Sequence, residues 1–474
     1  MSLNYDAIII GSGSNGISAA IYLQQKGLKT AIFEQAATPG GSTRTQELTL
    51  PGFKHDVGSA ILPMGFGSPF LRSLPLEEHG LEWIFPEIPY AHPFTDGTAH
   101  ASYTDIKKTA AQLGEDESSY VNLFEPLVKD WGKLENDLLG PLGIPQHPLD
   151  FIKFGLKALP SAKLLARHYF KNGKSRVFFY GSAAHSTLPL NSLASASFGL
   201  VLSTMAHKYN WPFPKGGAQN FVNSMLSYYT SIGGELHLEK NITQLDELPE
   251  SKTYLFDLTP KQLLKIKGTD FSSIYRKRMD SFKYGAGVFK VDWALSKPIP
   301  FTNEKCRKAG TVHIGFSEEE MENSEQSIHQ ENMTQTPYVL VAQHSIFDST
   351  RAPESQHTAW AYCHVPNGNT EDFSKIIEDQ IERAAPGFKN CILKKSTMNS
   401  VQLHAFNPNI IGGDINGGKQ DITQLFTRPI IKISPYSTPN PKIYICSSST
   451  PPGGGVHGMC GYNAARKVEK DHFQ

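Results

Sequence analysis

The residues best placed by type and spacing to do chemistry open the chain, in residues 5–34, YDAIIIGSGSNGISAAIYLQQKGLKTAIFE. Gly11, Gly13 and Gly16 follow a Gly-x-Gly-x-x-Gly spacing, with Ser12, Ser14 and Asn15 between them, and Glu34 lies 23 residues after Gly11. Such glycines set backbone N–H groups against a diphosphate. The first permits a tight turn, the second leaves room for phosphate oxygens, and the third lets a helix lie close on a strand. A carboxylate at the position of Glu34 accepts the hydroxyls of an adenosine ribose and disfavours a 2′-phosphate.

The flanking pattern supplies elements to hold these groups. Residues 7–10 form an apolar run of the length expected for a buried parallel strand. Ile17, Ala20, Ile21 and Leu23 recur at helical spacing, Gly27 stops the helix, and residues 29–33 read as a second strand. The helix N-terminus, with its free N–H groups and positive dipole end, would face the phosphates. The expected fold class is therefore α/β, with a Rossmann-type dinucleotide-binding domain.

A chain of 474 residues is too long for one ordinary core, so two or three subdomains are expected. Lys plus Arg and Asp plus Glu balance at 45 each without a strongly basic block, which argues against nucleic acid as a partner. Cys306, Cys363, Cys391, Cys446 and Cys460 are scattered without a CxxC, so reduced thiols are expected and neither a zinc site nor a redox disulfide. The chain enters its first strand directly, and no apolar run approaches the roughly 18 residues that span a bilayer. A cytoplasmic protein, soluble or peripheral to a membrane, is the expectation.

After Glu34 and Gln35 come Gly40-Gly41-Ser42-Thr43-Arg44 and then, in residues 51–60, PGFKHDVGSA with Gly58-Ser59. A mobile loop and a β-turn would explain both. Their position soon after the ribose acid also suits backbone laid against a diphosphate, a ribityl chain and a flavin ring. From about residue 69 to 208 the pattern changes to aromatic-rich strands and then helices. Within residues 151–176, Lys153, Lys157, Lys163, Arg167, Lys171, Lys174 and Arg176 are interleaved with apolar residues. Such a stretch either lies on an anionic membrane surface or covers the core with a solvated basic face, and Pro160 interrupts its period.

Residues 209–268 return to the nucleotide-binding pattern, with a helix expected over 221–232 and strands over 235–239 and 253–258. A second excursion, 269–429, carries strand patterns at 287–293, 337–344 and 358–364. Its acidic segment 317–331 reads as a solvated helix or loop. The expected division is thus 1–68, 209–268 and 430–474 for the nucleotide, and 69–208 with 269–429 for the substrate, including membrane or lid helices at about 145–180. The chain ends with strand 443–446 and SSSTPPGGGVHGMCG running into a helix, which makes an anion-receptive helix N-terminus.

Taken together, GSGSNG with Glu34, PGG, PGFKHDVGSA, PKGG and the PPGGGVHGMCGYNAA ending resemble the phytoene dehydrogenase-like FAD oxidoreductases, the group of carotenoid desaturases, carotenoid isomerases and retinol saturases. The blocks AGTVHIG, QHSIFDSTRAP, WAYCHVP, ERAAPGF, NPNIIGGDINGG and QLFTRP extend the resemblance over almost the whole chain, within a subgroup apart from the carotenoid enzymes themselves. It implies FAD as cofactor, in a glutathione reductase-like fold with an inserted α+β substrate domain. Residues 11–16 would hold the diphosphate, Glu34 with Gln35 the adenosine ribose, and Gly41, Ser42, Thr43 and Arg44 the phosphates and ribitol. Ile242 would lie near the adenine. Gly58, Ser59, Ser448, Gly455, Val456, His457 and Gly458 would stand on the flavin side.

A bound flavin takes hydride without a protein nucleophile, so no catalytic triad is required. His344, His364 and His457 are candidates for an acid or base, with His344 preferred because it ends a predicted strand of the substrate excursion. No second Gly-rich βαβ unit follows, which leaves reoxidation to oxygen, a quinone or a transient nicotinamide. The leading expectation is a desaturase or dehydrogenase acting on a hydrophobic, polyene or lipid-like molecule. Two alternatives remain open: an amine oxidase-like enzyme, for which no aromatic pair beside the flavin can be placed, and a flavin-binding scaffold with little turnover.

Overall fold

In the computed structural model, which describes residues 4–330, 333–425 and 427–474, the strand Tyr5–Ile10 is the centre of a five-stranded parallel sheet. The order across it is Ile443–Ile445, Ser251–Phe256, Tyr5–Ile10, Thr30–Phe33 and Glu235–His237. The central strands are apolar along their length because both faces are covered. Helices Ser14–Gln25, Ala218–Ser231 and Met459–His472 pack on one face, and Leu263, Phe271, Tyr275 and Met279 on the other. The chain winds outward to Glu235–His237 and then crosses back to Ser251–Phe256. That reversal opens a crevice beyond the carboxyl ends of Tyr5–Ile10 and Ser251–Phe256, where α/β sheets bind ligands. Gly11, at φ 101°, and Asp257 stand at its lip.

The second sheet has seven strands, ordered Ile392–Met398, Gly287–Leu295, His357–Val365, Val339–Ala342, Ala309–Ile314, Ile88–Pro93 and Ala99–Ala101. All neighbours are antiparallel except the parallel pair Ala309–Ile314 and Ile88–Pro93. Alternation assigns each strand two unlike faces. Phe289, Val291, Trp293, Val312, Val341 and Cys363 form an apolar core with the helix Ser374–Ala384. The opposite face carries Lys290, Asp292, Thr311, His313, Trp360 and Tyr362. Register pairs Lys290 with Tyr362, Tyr362 with Leu340 and Leu340 with His313, so one row crosses four strands.

Two local expectations change. The acidic segment 317–331 is not simply solvated: its helix Glu318–Ser327 buries Met321, Ser324 and Glu325, because one face of its turns meets the sheet. Glu325 accepts from His364 Nδ1 at 2.9 Å, a hydrogen bond buried on both sides. His344 falls past its strand, in the 3-10 turn His344–Ile346. Residues 148–169 form two helices, Pro148–Ala158 and Ala162–Tyr169, broken around Pro160. All five cysteines are buried and unpaired with one another. No helix among the described residues is long and apolar enough to cross a membrane.

Candidate dinucleotide and substrate site

A cavity of about 610 Å³ runs from the crevice to the second sheet, a size within the range of small-molecule sites. Its walls include Gly11, Ser12, Gly13, Ser14 and Asn15 on one side and Gly41, Ser42, Thr43 and Arg44 on the other. A Cβ added to Gly41 would lie 3.3 Å from the Gly13 Cα, so the two glycines face each other across a narrow slot. Side chains there would close it. The Gly41 φ of 59° sits in the left-handed region, which glycine adopts at no cost.

Glu34 is fixed before any ligand arrives. Its Oε2 accepts from the Ser12 N–H at 2.8 Å and the Ser12 hydroxyl at 2.7 Å, and its Oε1 accepts from the Ala36 N–H at 2.9 Å. A carboxylate offers about four acceptor positions, so Oε1 retains room for one ribose hydroxyl, where the sequence suggested both. We expect Glu34→Ala to weaken FAD binding about 10- to 100-fold, the loss of a charge-assisted hydrogen bond, as measured by fluorescence titration of apoprotein. Unchanged affinity would remove Glu34 from the site.

Arg44 is 8 % exposed yet has no carboxylate within ion-pair distance among the described residues. Its Nε donates to the Gly41 carbonyl at 2.8 Å, its Nη2 to the Phe406 carbonyl at 3.1 Å, and its guanidinium lies 3.9 Å above the Phe406 ring. Burial lowers its pKa from the usual arginine value. A buried cation on the slot wall, held in place but lacking an anion, fits a diphosphate. The residues present therefore fit FAD: Glu34 for the ribose, the facing glycines for the diphosphate, Arg44 for its charge.

Asp257, expected from the sequence only as part of the strand 253–258, completes the crevice. Its carboxyl accepts from the Gly16 N–H at 3.1 Å, and a Cβ on Gly13 would meet its Oδ2 at 2.4 Å. The smallness of Gly13 thus serves this contact as well as the diphosphate. Burial pushes the Asp257 pKa up to about 7, with Glu34 contributing. A carboxyl with its pKa near 7 is protonated about half the time at neutral pH, which reduces the negative charge beside the phosphates.

At the far end the cavity becomes a chamber over the polar and aromatic face of the second sheet. Trp211, Leu340, Trp360 and Tyr362 line it, with Lys290 and His185. The rings of Trp360 and Tyr362 are parallel within 4° at 5.9 Å and form an aromatic pair on the chamber wall. Lys290 is buried, ion-paired with Asp292 two residues on, and 5.8 Å from the Trp360 ring. The His185 Nε2 lies 3.1 Å from the His313 Nε2, so one imidazole donates to the other. Burial lowers the His185 pKa to about 3, and the ring enters the chamber as a neutral group.

The cavity walls also include Gln35, Gly58, Ser59, Ile242, Ser448, Gly455 and Val456. Five expected residues are not on them, one of them His364, which is taken up by Glu325. Gly16 backs onto Gly11 and Asp257, and Gly458 onto Ser18. His457 accepts from the Met459 N–H through Nδ1 at 3.0 Å, and its carbonyl accepts from the Ser68 hydroxyl at 2.7 Å, folding the final loop onto its helix. His344 stands behind the chamber, 4.4 Å from the Phe213 ring and 3.7 Å from Asp56, which also binds Arg351 at 2.7 Å. The acid–base candidate facing the cavity is His185, which carried no motif in the sequence. Its position depends on the turn Ala184–Ser186 packing beside His313.

Residues 9–74 match the model of the NAD(P)-binding Rossmann-like domain. Over 98 % of this chain and 94 % of the relative, the sequence is 24 % identical to pyridine nucleotide-disulfide oxidoreductase domain-containing protein 2 of Rattus norvegicus. It is 21 % identical to the neurosporene-forming phytoene desaturase of Rhodobacter capsulatus, over 96 % of this chain and 92 % of that one. Among solved structures, an oxidoreductase from Methanosarcina mazei superposes with a TM-score of 0.65 at 14 % identity, covering 98 % and 99 % of the two chains. Cyclohexylamine oxidase from Brevibacterium oxydans superposes with a TM-score of 0.61 at 14 % identity, covering 99 % and 100 %. The structural likenesses establish the shared fold.

Proposed function

We propose that this FAD-dependent oxidoreductase, a distant relative of the phytoene and carotenoid desaturases and isomerases, oxidises a hydrophobic, polyene or lipid-like molecule held in its chamber. The observation that carries the reading is the single cavity that joins the glycine slot to a chamber walled by Trp211, Leu340, Trp360 and Tyr362. The flavin, when bound, supplies hydride acceptance at N5.

The chain's own residues do the rest. Gly13, Gly41 and Arg44 would hold the diphosphate, and Gly455 and Val456 line the same cavity on the side assigned to the flavin. The aromatic walls exclude water and orient a flat or extended substrate by contact with ring faces. His185 is the residue we place as proton acceptor or donor at the substrate, with His313 sharing its hydrogen bond. Lys290 provides a fixed positive charge on the chamber floor, held by Asp292. Reoxidation by oxygen, a quinone or a transient nicotinamide belongs to the same proposal, as does peripheral contact with a membrane from a cytoplasmic location.

The parallel pair Trp360 and Tyr362 favours a second reading, oxidation of an amine held against an aromatic ring face. Anaerobic mixing separates the two. Bleaching of the flavin by polyenes or long-chain lipids supports the first, bleaching by amines supports the second, and no bleaching by either class sinks both. With whichever class bleaches, His185→Ala should slow reduction about 10²-fold or more while leaving the flavin spectrum intact. An unaltered rate would take His185 out of the reaction.

A further inference from the structure

Seven large apolar side chains stand exposed between Leu142 and Leu164, a density found nowhere else among the described residues. Three of them form a stripe on the helix Pro148–Ala158: Leu149 is 74 % exposed, Ile152 57 % and Leu156 71 %. Their spacing of three and four residues puts them on one face. Phe154 and Ala158, on the other face, are buried in the same apolar cluster as Tyr90 and Trp360. The helix is therefore seated firmly, with its outer apolar stripe uncovered.

The loop before it presents a second apolar element. Both carboxyl oxygens of Asp137 accept from the Gln146 N–H, at 3.2 and 3.0 Å, which pins the base of the loop. Ile144 at its tip is 95 % exposed. Beneath the loop lies a separate cavity of about 540 Å³, walled in part by Phe151, Tyr462, Lys26 and Arg466.

Charge decides what would cover this face. Lys163 and Arg167 reach Glu322, Lys171 reaches Glu115, Lys174 reaches Asp96 and Arg176 reaches Glu318, so most of the basic run seen in the sequence is already neutralised. Lys153, Lys157 and Arg466 make no ion pair within 4 Å among the described residues, and they border the apolar stripe and the loop cavity. A two-fold pairing of this face with a second copy would bring Lys153 and Lys157 near their own counterparts, a like-charge contact that opposes association. A negatively charged bilayer surface meets both demands. An amphipathic helix lies in the plane of such an interface with its apolar face among acyl chains and its lysines at the phosphates.

We propose that the stripe Leu149, Ile152 and Leu156, together with the Ile144 tip, docks on an anionic lipid surface, with Lys153, Lys157 and Arg466 at the phosphates. This deepens the peripheral membrane contact included in the function proposed above, on which it rests, and depends on none of the redox chemistry. The test is co-sedimentation of the FAD-loaded protein with vesicles of phosphatidylcholine mixed with phosphatidylglycerol, against phosphatidylcholine alone. The expected result is binding to the mixed vesicles. Ile152→Glu and Leu156→Glu should each lower the partition about tenfold, and Arg466→Gln about fivefold. Ile274→Glu, on the separate helix Ser273–Asp280 and 67 % exposed, serves as the control that leaves binding unchanged. Flavin absorbance of each variant reports that the fold is intact. Failure to bind the mixed vesicles overturns the proposal, as does binding that the glutamates leave unaltered. Concentration-dependent self-association abolished by the glutamates without any vesicle binding would assign the face to a second copy and overturn it too.

Discussion

Replacing Gly461 by alanine is expected to yield a protein that purifies without flavin and melts far below the parent. The last helix, Met459–His472, crosses the first, Ser14–Gln25, at a point where Gly461 lies directly on the backbone of Asn15. A Cβ on Gly461 would lie 1.8 Å from the Asn15 carbonyl oxygen and 2.6 Å from its carbon. Backbone atoms cannot swing aside as the end of a long side chain can, so one helix must move. The first helix is the one that presents residues 13–15 to the cavity, and its displacement misaligns the N–H groups that face the diphosphate. Gly16 has the same problem from within its own unit, since a Cβ there would be 2.2 Å from the Gly11 carbonyl oxygen.

Overpacking of this kind costs about 3 kcal/mol or more, and the lost stabilisation by bound flavin adds to it. Gly132 supplies the contrast. It sits in the helix Glu117–Leu138, where an added Cβ meets nothing within 4 Å, so Gly132→Ala should gain about 0.5–1 kcal/mol from helix propensity. Thermal melting and the ratio of flavin to protein absorbance check both. A Gly461→Ala protein that stays yellow and melts with the parent would show that the helices do not approach as closely as described.

Acid should unfold this protein early, with a midpoint near about pH 5 and several protons taken up in the transition. The cause is a set of histidines held neutral by burial. Burial lowers His55, His185 and His344 to about 3, and His92, His100, His207 and His457 to about 4. In the unfolded chain each titrates near 6.5. Below that pH the unfolded state binds more protons than the folded one, so stability falls as pH falls through this window. Each histidine contributes at most about 1.4 kcal/mol per pH unit down to its folded value.

Asp56 acts in a different window. The Arg351 charge, with hydrogen bonds from Arg351 and the Thr45 hydroxyl, outweighs its burial and holds its pKa below the usual carboxylate value, so its contribution is present above about pH 4 and lost below. Circular dichroism against pH, with potentiometric counting of protons, distinguishes the two. A midpoint below about pH 4 without proton uptake between 6.5 and 4 would mean that these imidazoles are solvated or charged in the fold.

Chain order alone determined the dinucleotide half of this protein. The glycines at 11, 13 and 16, the apolar run before them and Glu34 after them are neighbours in sequence. Strand, turn and helix form from short-range preferences and hydrophobic period, and that unit was readable from residues 5–34. The glycine pair at 40 and 41 and the loop Gly455 to Gly458 were expected from position relative to it, and the cavity walls include the pair and Gly455 with Val456, but not His457 or Gly458. The sequence also displayed the basic run at 151–176 but could not say which of its charges are already paired.

Tertiary structure alone decided the chamber and the fine division of labour around the flavin site. Lys290, Leu340, Tyr362 and His313 come from four strands far apart in the chain, and only register sets them in one row. A one-residue slip in any strand would turn its member to the opposite face, so no local signal marks them. The same holds for Asp257, which reaches the Gly16 N–H across 241 residues, and for His344, which looked like a cavity residue and lies behind it. Local sequence specifies what a segment becomes; long-range pairing specifies which side chains face the same space.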